Sequence, residues 1–570
     1  MASATPATAT ATDGPLTHKQ ILTILVGLLM GMFLAALDQT IVASAMRVIA
    51  DDLNDLAGQA WVTTAYLITS TIVTPLYGKL SDIYGRKKFF VTAITIFIIG
   101  SILCAFATSM PMLAAFRAVQ GLGAGGLFSL ALAIIGDIVP PRERAKYQGY
   151  FLAVFGTSSV LGPVIGGFFA GADTILGITG WRWVFLVNVP IGIAALFVVA
   201  RTLHLRHTRL DHRIDWWGAV ALTVGLVPLL IVAEQGRGWG WGSASSIACY
   251  VIGGLGVIAF FLIERAMGHE ALLPIYLFRI KTVGVASIAS VVLGMGMFGG
   301  LVSLPLYLQI VKGATPTQAG LMLVPMTLGI MSGSIISGQA ISRTGRYRHF
   351  PIIGSALLVI GLFMFHYVAY DTPLWQVMVL MVVFGLGLGF NMQPLTLAVQ
   401  NAVSPREIGV ATSSATFTRQ IGGTLGTAIF LSILFSSVPI KLAEAFRVYF
   451  PTPDFQAALR NPTGNAAANA NVIAALKSRQ SGGSGSGANP LSDSSFIQQI
   501  DPRLAKPFLV GFSEAMDRVF LVGSAVMVVA FIVLWFLPHV ELRSGSSYSE
   551  RGKSDAQDAE AAAAVPPIAH

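Results

Sequence analysis

The sequence predicts an all-α membrane protein built of two related six-helix halves, with two further helices inserted between them. Three observations carry that prediction. Of 570 residues, 54% are hydrophobic and 11% charged, a balance far too apolar for a water-soluble chain. About fourteen stretches reach the roughly 20 mostly apolar residues that a membrane-spanning helix needs. Finally, two glycine-framed basic strings, GKLSDIYGRKK from Gly78 to Lys88 and GQAISRTGRYR from Gly338 to Arg348, lie at corresponding places in the two halves.

The expected spans run roughly 20–48, 58–80, 88–108, 111–136, 146–170, 182–201, 215–234, 245–265, 282–309, 318–340, 350–369, 375–398, 408–435 and 517–537. An even number puts both termini on one side. Lys79, Arg86, Lys87 and Lys88 follow the second span, Arg142, Arg144 and Lys146 the fourth, Arg201, Arg206, Arg209 and Arg213 the sixth, and Arg343, Arg346 and Arg348 the tenth. By the positive-inside rule these loops and both termini face the cytoplasm. The first opposite loop carries Asp51, Asp52 and Asp55 instead. The net charge of +9 is therefore a topology signal with anionic lipid as its contact, not the mark of a nucleic-acid partner.

The organisation that follows is a tail (1–19), a six-helix half (20–201), linkers with inserted helices 7 and 8 (202–281), helices 9–13 (282–435), an external loop (436–516), helix 14 (517–537) and a second tail (538–570). The outer loop contains SGGSGSG and NAAANANVIAALK and reads as mostly flexible, with short helices. The first polar stretch has no basic leader region or cleavage site, so the first span is expected to be retained as an anchor. The tail after Pro538 is charged and Ala-rich, the composition of a disordered segment.

Several classes of chemistry are excluded. Gly121, Gly123 and Gly126 satisfy GxGxxG, but no strand precedes them and their surroundings are membrane-apolar. There is no GxxxxGK[ST] nucleotide loop. Cys104 and Cys249 fall inside spans and offer neither metal spacing nor a disulfide framework, so no cofactor is expected.

The remaining polar residues inside spans are the informative ones. Asp38 lies on a helical stripe with Gly31, Leu34, Ile41, Val42 and Ala45, and it is the one carboxylate deep in a first-half span. A charged Asp at a helix centre costs about 2.5–3.5 kcal/mol on insertion scales, and protonation or pairing relieves that cost. Asp38 is thus either a proton carrier or a structural carboxylate. Arg117 heads a stripe with Gln120, Gly121 and Ala124 at a matching depth, placed either to pair with Asp38 or to snorkel outward. Gly78, Asp82, Gly85, Arg86 and Asp137 form a candidate charge cluster at the cytoplasmic end, the glycines permitting a tight turn and close approach. Gly156, Gly162, Pro163, Gly166 and Gly167 share one helix, where proline kinks it and glycines admit a neighbouring backbone.

For a substrate cavity the second half offers Tyr307, Gln309, Asn391, Gln393, Thr416, Arg419 and Gln420, with Met295, Met297, Met322, Met326 and Met392 at nearby depths. Methionine suits a promiscuous apolar cavity and also fills ordinary cores. One embedded Asp against two embedded Arg favours a neutral, monocationic or anionic amphiphile, such as a lipid or secondary metabolite, over multivalent cations.

The cytoplasmic string resembles the signature loop of the major facilitator superfamily. Fourteen spans with LDQTIVASA, WVTTAYLI, FRAVQGLGAGG, GTSSVLGPVIGG and WRWVFLVNVPIG in order, then YLQIVKGATPTQAGLMLVP and FTRQIGG, resemble its drug:proton antiporter-2 family over nearly the whole chain. The resemblance implies a major facilitator fold and proton-coupled export of amphiphilic drugs or lipid-like compounds. It also implies a bacterial cytoplasmic membrane, protons and lipids as partners, a monomer and no enzymatic chemistry. It further implies that Arg117 takes part in proton coupling, that Asp82 faces the N-terminus of the thirteenth span to lock the outward-facing state, and that the glycine-proline helix prevents leak. Arg47 stands where the first-helix motif usually ends in proline. Still open are a proton-linked symporter or facilitator of a small solute, and an exporter of one endogenous lipid or metabolite.

Overall fold

The computed structural model describes residues 18–55, 58–203, 214–480 and 495–542. The loop residues Arg206, Arg209 and Arg213, the SGGSGSG run and most of both tails lie outside the described residues, as do the side chains of Arg142 and Lys146.

The first half contains α1 (His18–Asp52), α2 (Gln59–Tyr84), α3 (Arg86–Ala105), α4 (Met110–Ile138), α5 (Pro141–Ala170) and α6 (Asn188–Thr202). A two-stranded ribbon, Thr174–Ile175 with Ile178–Thr179, and a short turn of helix lead into α6. The inserted pair is α7 (Trp216–Trp239) and α8 (Ala244–Met267). The second half contains α9 (Lys281–Ile310), α10 (Val324–Thr344), α11 (His349–Phe365), α12 (Leu374–Ala402), α13 (Ile408–Tyr449) and α14 (Pro502–Trp535). A short helix, Pro316–Met322, capped by Thr315 and Gln318, runs into α10.

Duplication is visible in the packing as well as in the basic strings. The pairs α1 with α5, α2 with α4 and α3 with α4 recur as α9 with α13, α10 with α12 and α11 with α12. Each half therefore has its own apolar core, one set around Phe90, Phe97 and Leu127, the other around Phe384, Leu358 and Met527. The halves meet along two seams, α5 against α10 and α2 against α13. The inserted pair covers the second seam, packing Leu222, Leu226 and Leu230 against Ile68 and Ile72 of α2 and Phe417 of α13.

Among the described residues, twelve helices are long and apolar enough to cross a membrane, against the fourteen spans expected. The other two expected spans are also helical. α11 has only 17 residues, while α2 has 26 but is too polar to qualify. The polarity of α2 has a structural reason: Thr64, Ser70, Thr71 and Thr74 are all buried against other helices instead of facing lipid.

Within 436–516, expected as a mostly flexible loop with short helices, the described residues include two short helices and the extended ends of α13 and α14. α13 continues to Tyr449 instead of stopping at 435, and α14 begins at Pro502 instead of 517. At about 1.5 Å per residue, the 42 residues of α13 span about 63 Å, roughly twice a bilayer's hydrocarbon thickness. Helices Pro453–Arg460 and Ala466–Gln480 pack beside the projecting ends of α13 and α14, and rings of Phe446 and Phe508 meet edge-on at 4.9 Å. Asp501 fastens this cap: its carboxylate accepts from Thr463 N at 2.7 Å and Thr463 Oγ1 at 2.8 Å and pairs with Arg503 Nη2 at 2.7 Å. The apolar spacing Leu442, Ala445, Phe446 shows why α13 continues: its buried stripe persists past the charged Lys441 and Glu444.

Candidate functional site

Asp38 and Arg117 are brought together. Arg117 Nη1 donates to Asp38 Oδ2 at 2.5 Å, and neither side chain has more than 2% exposure. Two further donors fill the carboxylate, Gln120 Nε2 and Asn188 Nδ2, each 2.9 Å from Oδ1. Arg117 in turn donates to Gln120 Oε1 at 2.8 Å and lies 4.1 Å from the centroid of the Tyr66 ring. Four helices thus converge on one carboxylate: α1 supplies the acid, α4 the arginine and glutamine, α6 the asparagine, and α2 the aromatic wall. Such close approach needs small residues, and a Cβ at Gly121 or Gly123 would collide with the backbone of α2 or α3 respectively.

Asn188 was not singled out as a functional residue from the sequence, although it sits in the WRWVFLVNVPIG string. The start of that string fixes its place. Trp181 Nε1 donates to Asp52 Oδ2 at 2.7 Å, and Arg182 donates to the carbonyl of Ala105. Asn188 Nδ2 also reaches Ser101 Oγ at 3.1 Å, which ties α6 to α3. The available signal was an amide within an otherwise apolar span.

Beside this network lies a cavity between the halves. Its polar lining is Gln39, Ser70, Thr71, Gln420, Thr424 and Thr427, and Phe128 and Phe298 form apolar walls. Gln39 follows Asp38 in the chain, and Tyr66 both lines the cavity and covers Arg117, so one residue layer separates the ion pair from the open space. The cavity holds about 80 Å³, whereas drug-sized ligands occupy pockets of about 300–1,000 Å³. The halves must part to admit one.

Only Gln420 of the seven second-half residues expected in a cavity is part of this lining; it also bridges the halves, its Oε1 accepting from Thr74 Oγ1 at 3.2 Å. Tyr307 instead donates to the carbonyl of Ala369 at 3.1 Å. Asn391 and Thr416 are buried and bond to their own helices, at Gly387 O and Thr412 O. Gln393 is buried, Gln309 is half-buried away from the lining, and Arg419 lies one residue before Gln420 without being part of it. Met297 and Met326 are core residues. The first-half hydroxyls of α2 were missed because Ser and Thr are unremarkable inside a helix.

The end of the bundle carrying the Gly78–Lys88 loop, the basic end, is closed by polar contacts across the halves. Asp82 Oδ2 accepts from Val410 N at 2.9 Å, in the first turn of α13, where a carboxylate is favoured by the exposed N–H groups and the helix dipole. Arg86 pairs with Asp82, reaches Asp137 Oδ2 at 2.8 Å and donates to Ser81 Oγ at 2.5 Å. Gly78 faces Ser413 and Gly409 faces the Asp82–Arg86 pair, with no room for a Cβ at either. Gly85 has φ +104°, which makes the α2–α3 turn affordable for glycine alone. Gln400 was missed: its Nε2 donates to Leu132 O of the first half at 3.0 Å and Thr412 Oγ1 at 3.1 Å. In the second basic string the Asp82 position is Ser342, and Arg348 donates to the carbonyl of Trp535 instead.

The glycine-proline helix α5 divides its motif between two partners. Gly162 and Gly166 face Thr40 and Ser44 of α1, just beyond Asp38, while Gly156 faces Thr327 of α10 and Pro163 packs against Gly320. Thr40 Oγ1 donates to Ser158 O at 2.9 Å. Gly167 alone has space, with Thr317 Oγ1 at an ordinary 3.5 Å from where a Cβ would be.

Comparison with known proteins agrees with this architecture. The profile of the Major Facilitator Superfamily matches residues 28–427. Multidrug resistance protein 3 of Bacillus subtilis is 38% identical over 433 residues, covering 75% of this chain and 83% of that protein. The Streptomyces rimosus tetracycline resistance determinant is 36% identical over 329 residues, 57% of this chain and 92% of that protein. In fold, the chain resembles the proton:xylose symporter XylE, at 13% identity and a TM-score of 0.57 over 94% of this chain and 99% of that one. The chain belongs to the major facilitator superfamily and is a transport protein, not an enzyme.

Proposed function

We propose that this chain is a fourteen-span, proton-coupled antiporter that exports amphiphilic drugs or lipid-like compounds across a bacterial cytoplasmic membrane, with both termini inside. The observation that carries the reading is the buried Asp38–Arg117–Gln120–Asn188 network, one residue layer from a cavity between the halves. A carboxylate is a proton site, and in a span it is tolerated as an anion only with partners. Protonating Asp38 removes the charge that holds Arg117, so proton binding and helix packing are linked. Substrate enters while the basic end is open. Closure through Asp82 and Val410 then excludes the cytoplasm, and proton arrival from outside favours release. The relatives named for multidrug and tetracycline resistance, at 38% and 36% identity, support export as the direction.

The reading is tested in proteoliposomes with an imposed pH gradient, following a neutral amphiphilic dye. Wild-type protein is expected to move dye against its gradient when the proton gradient is present, and Asp38→Asn to move it only downhill. Gradient-independent flux in the wild type would favour a facilitator.

A further inference from the structure

We infer that Arg419 is a seat for an acidic head group, so that the preferred cargo is an amphiphile with a single negative charge such as a carboxylate. This deepens the transport reading above and rests on it. Every other deeply buried arginine described has a partner: Arg117 has Asp38 and Gln120, Arg86 has Asp82, Asp137 and Ser81, and Arg144 donates to the carbonyl of Val139. Arg419 has no hydrogen bond or ion pair among the described residues, and no carboxylate is close enough to act on it. An unpaired guanidinium at membrane depth is costly, and the planar fork fits a carboxylate with two parallel bonds.

Its position matches such a role. Arg419 immediately precedes Gln420 on α13 and lies one turn before Gly423, and both of these line the cavity. A Cβ at Gly294 would collide with the Arg419 carbonyl, so α9 is pressed against α13 here and holds the Arg419 backbone in place. The residue stays half-buried although deep within the bundle. Among the described residues no acid competes for it. The cavity's polar lining is hydroxyl and amide, and Asp38, the acid next to the lining residue Gln39, has 0% exposure and is occupied by three donors. Phe128 and Phe298 provide the apolar side that an alkyl or aromatic body requires.

The test compares dansyl-undecanoic acid with its primary amide and its amine analogue. Binding is read by dansyl fluorescence on purified full-length protein, and transport in proteoliposomes. Wild type is expected to bind the acid about tenfold tighter than the amide, the worth of one charge-assisted pair, and the amine most weakly. Arg419→Gln should equalise acid and amide, and Arg419→Lys should keep part of the preference. Equal wild-type affinities, or an acid preference that survives Arg419→Gln, would overturn the assignment. Because binding is read without a gradient, Asp38→Asn should retain the acid preference. Gradient-independent transport by the wild type with that preference intact would fault the proton-coupling reading alone.

Discussion

Arg117 and Arg419 are both arginines deep in a span, one in each half, and their surroundings are opposite. Arg117 has a carboxylate, an amide and an aromatic face, and it closes a network that holds four helices together. Among the described residues Arg419 has none of these. A buried charge with partners is part of the scaffold, whereas one without them is held against its own cost by the rest of the fold. The two halves share helix pairings but have divided the labour: the first keeps its charge balanced internally, and the second leaves a positive charge next to the cavity.

Neutral substitution separates the two most strongly. Arg117→Met abandons Asp38 in a dry site and is expected to destabilise the protein by about 3–5 kcal/mol, with Asp38→Asn in addition recovering most of the loss. Arg419→Met removes an unsatisfied guanidinium and should be neutral or stabilising by up to about 2.5 kcal/mol. Thermal unfolding in detergent measures both, and similar losses at the two sites would break the comparison. Gly162→Val forces two methyl groups into Thr40 beside the Asp38 network; overpacking of about 1–3 kcal/mol and a raised proton leak are expected, measured by a pH-sensitive dye in vesicles. Gly167→Ala, where there is space, should leave the leak unchanged.

A smaller effect is expected at the basic end. Asp82→Asn removes the charge facing the first turn of α13, an interaction of about 0.3–2 kcal/mol, and should speed labelling of a cysteine placed at the buried Ser413. An unchanged rate would mean that Asp82 does not hold the halves closed. The smallest effect belongs to the far cap. Asp501→Ala removes the α14 N-cap and should cost about 1 kcal/mol with transport unaltered. The hydrogen bond from Arg503 holds the Asp501 carboxyl well below the usual carboxylate range. Its contribution is therefore present above the ordinary aspartate pKa and is lost only as pH falls through the depressed one, which acid titration of cap unfolding would show.

How much of this was legible in the sequence depended on the kind of signal. Asp38, Arg117, Asp82 and Arg86 stood out because charge inside or beside an apolar span is rare and costly without a partner. The glycine-proline pattern stood out too, but not its division between α1 and α10, because spacing gives a helix face without naming its neighbour. The same limit applies to Tyr307, Asn391 and Thr416, which do not line the cavity described: their depth was readable, and the direction they face was not. The cavity lining on α2 was hidden in hydroxyl residues that any helix carries. The structured cap was hidden because SGGSGSG and NAAANANVIAALK read as mostly flexible, while α13 ran on to Tyr449.

The central claim is that Asp38 carries the proton exchanged for cargo. Its most direct test is to add a saturating amphiphilic substrate to purified protein in weakly buffered detergent solution and to measure protons released. Wild type should release protons on substrate binding, and Asp38→Asn should bind the substrate and release none. Equal release from both proteins would contradict the account and place the exchanged proton on another residue.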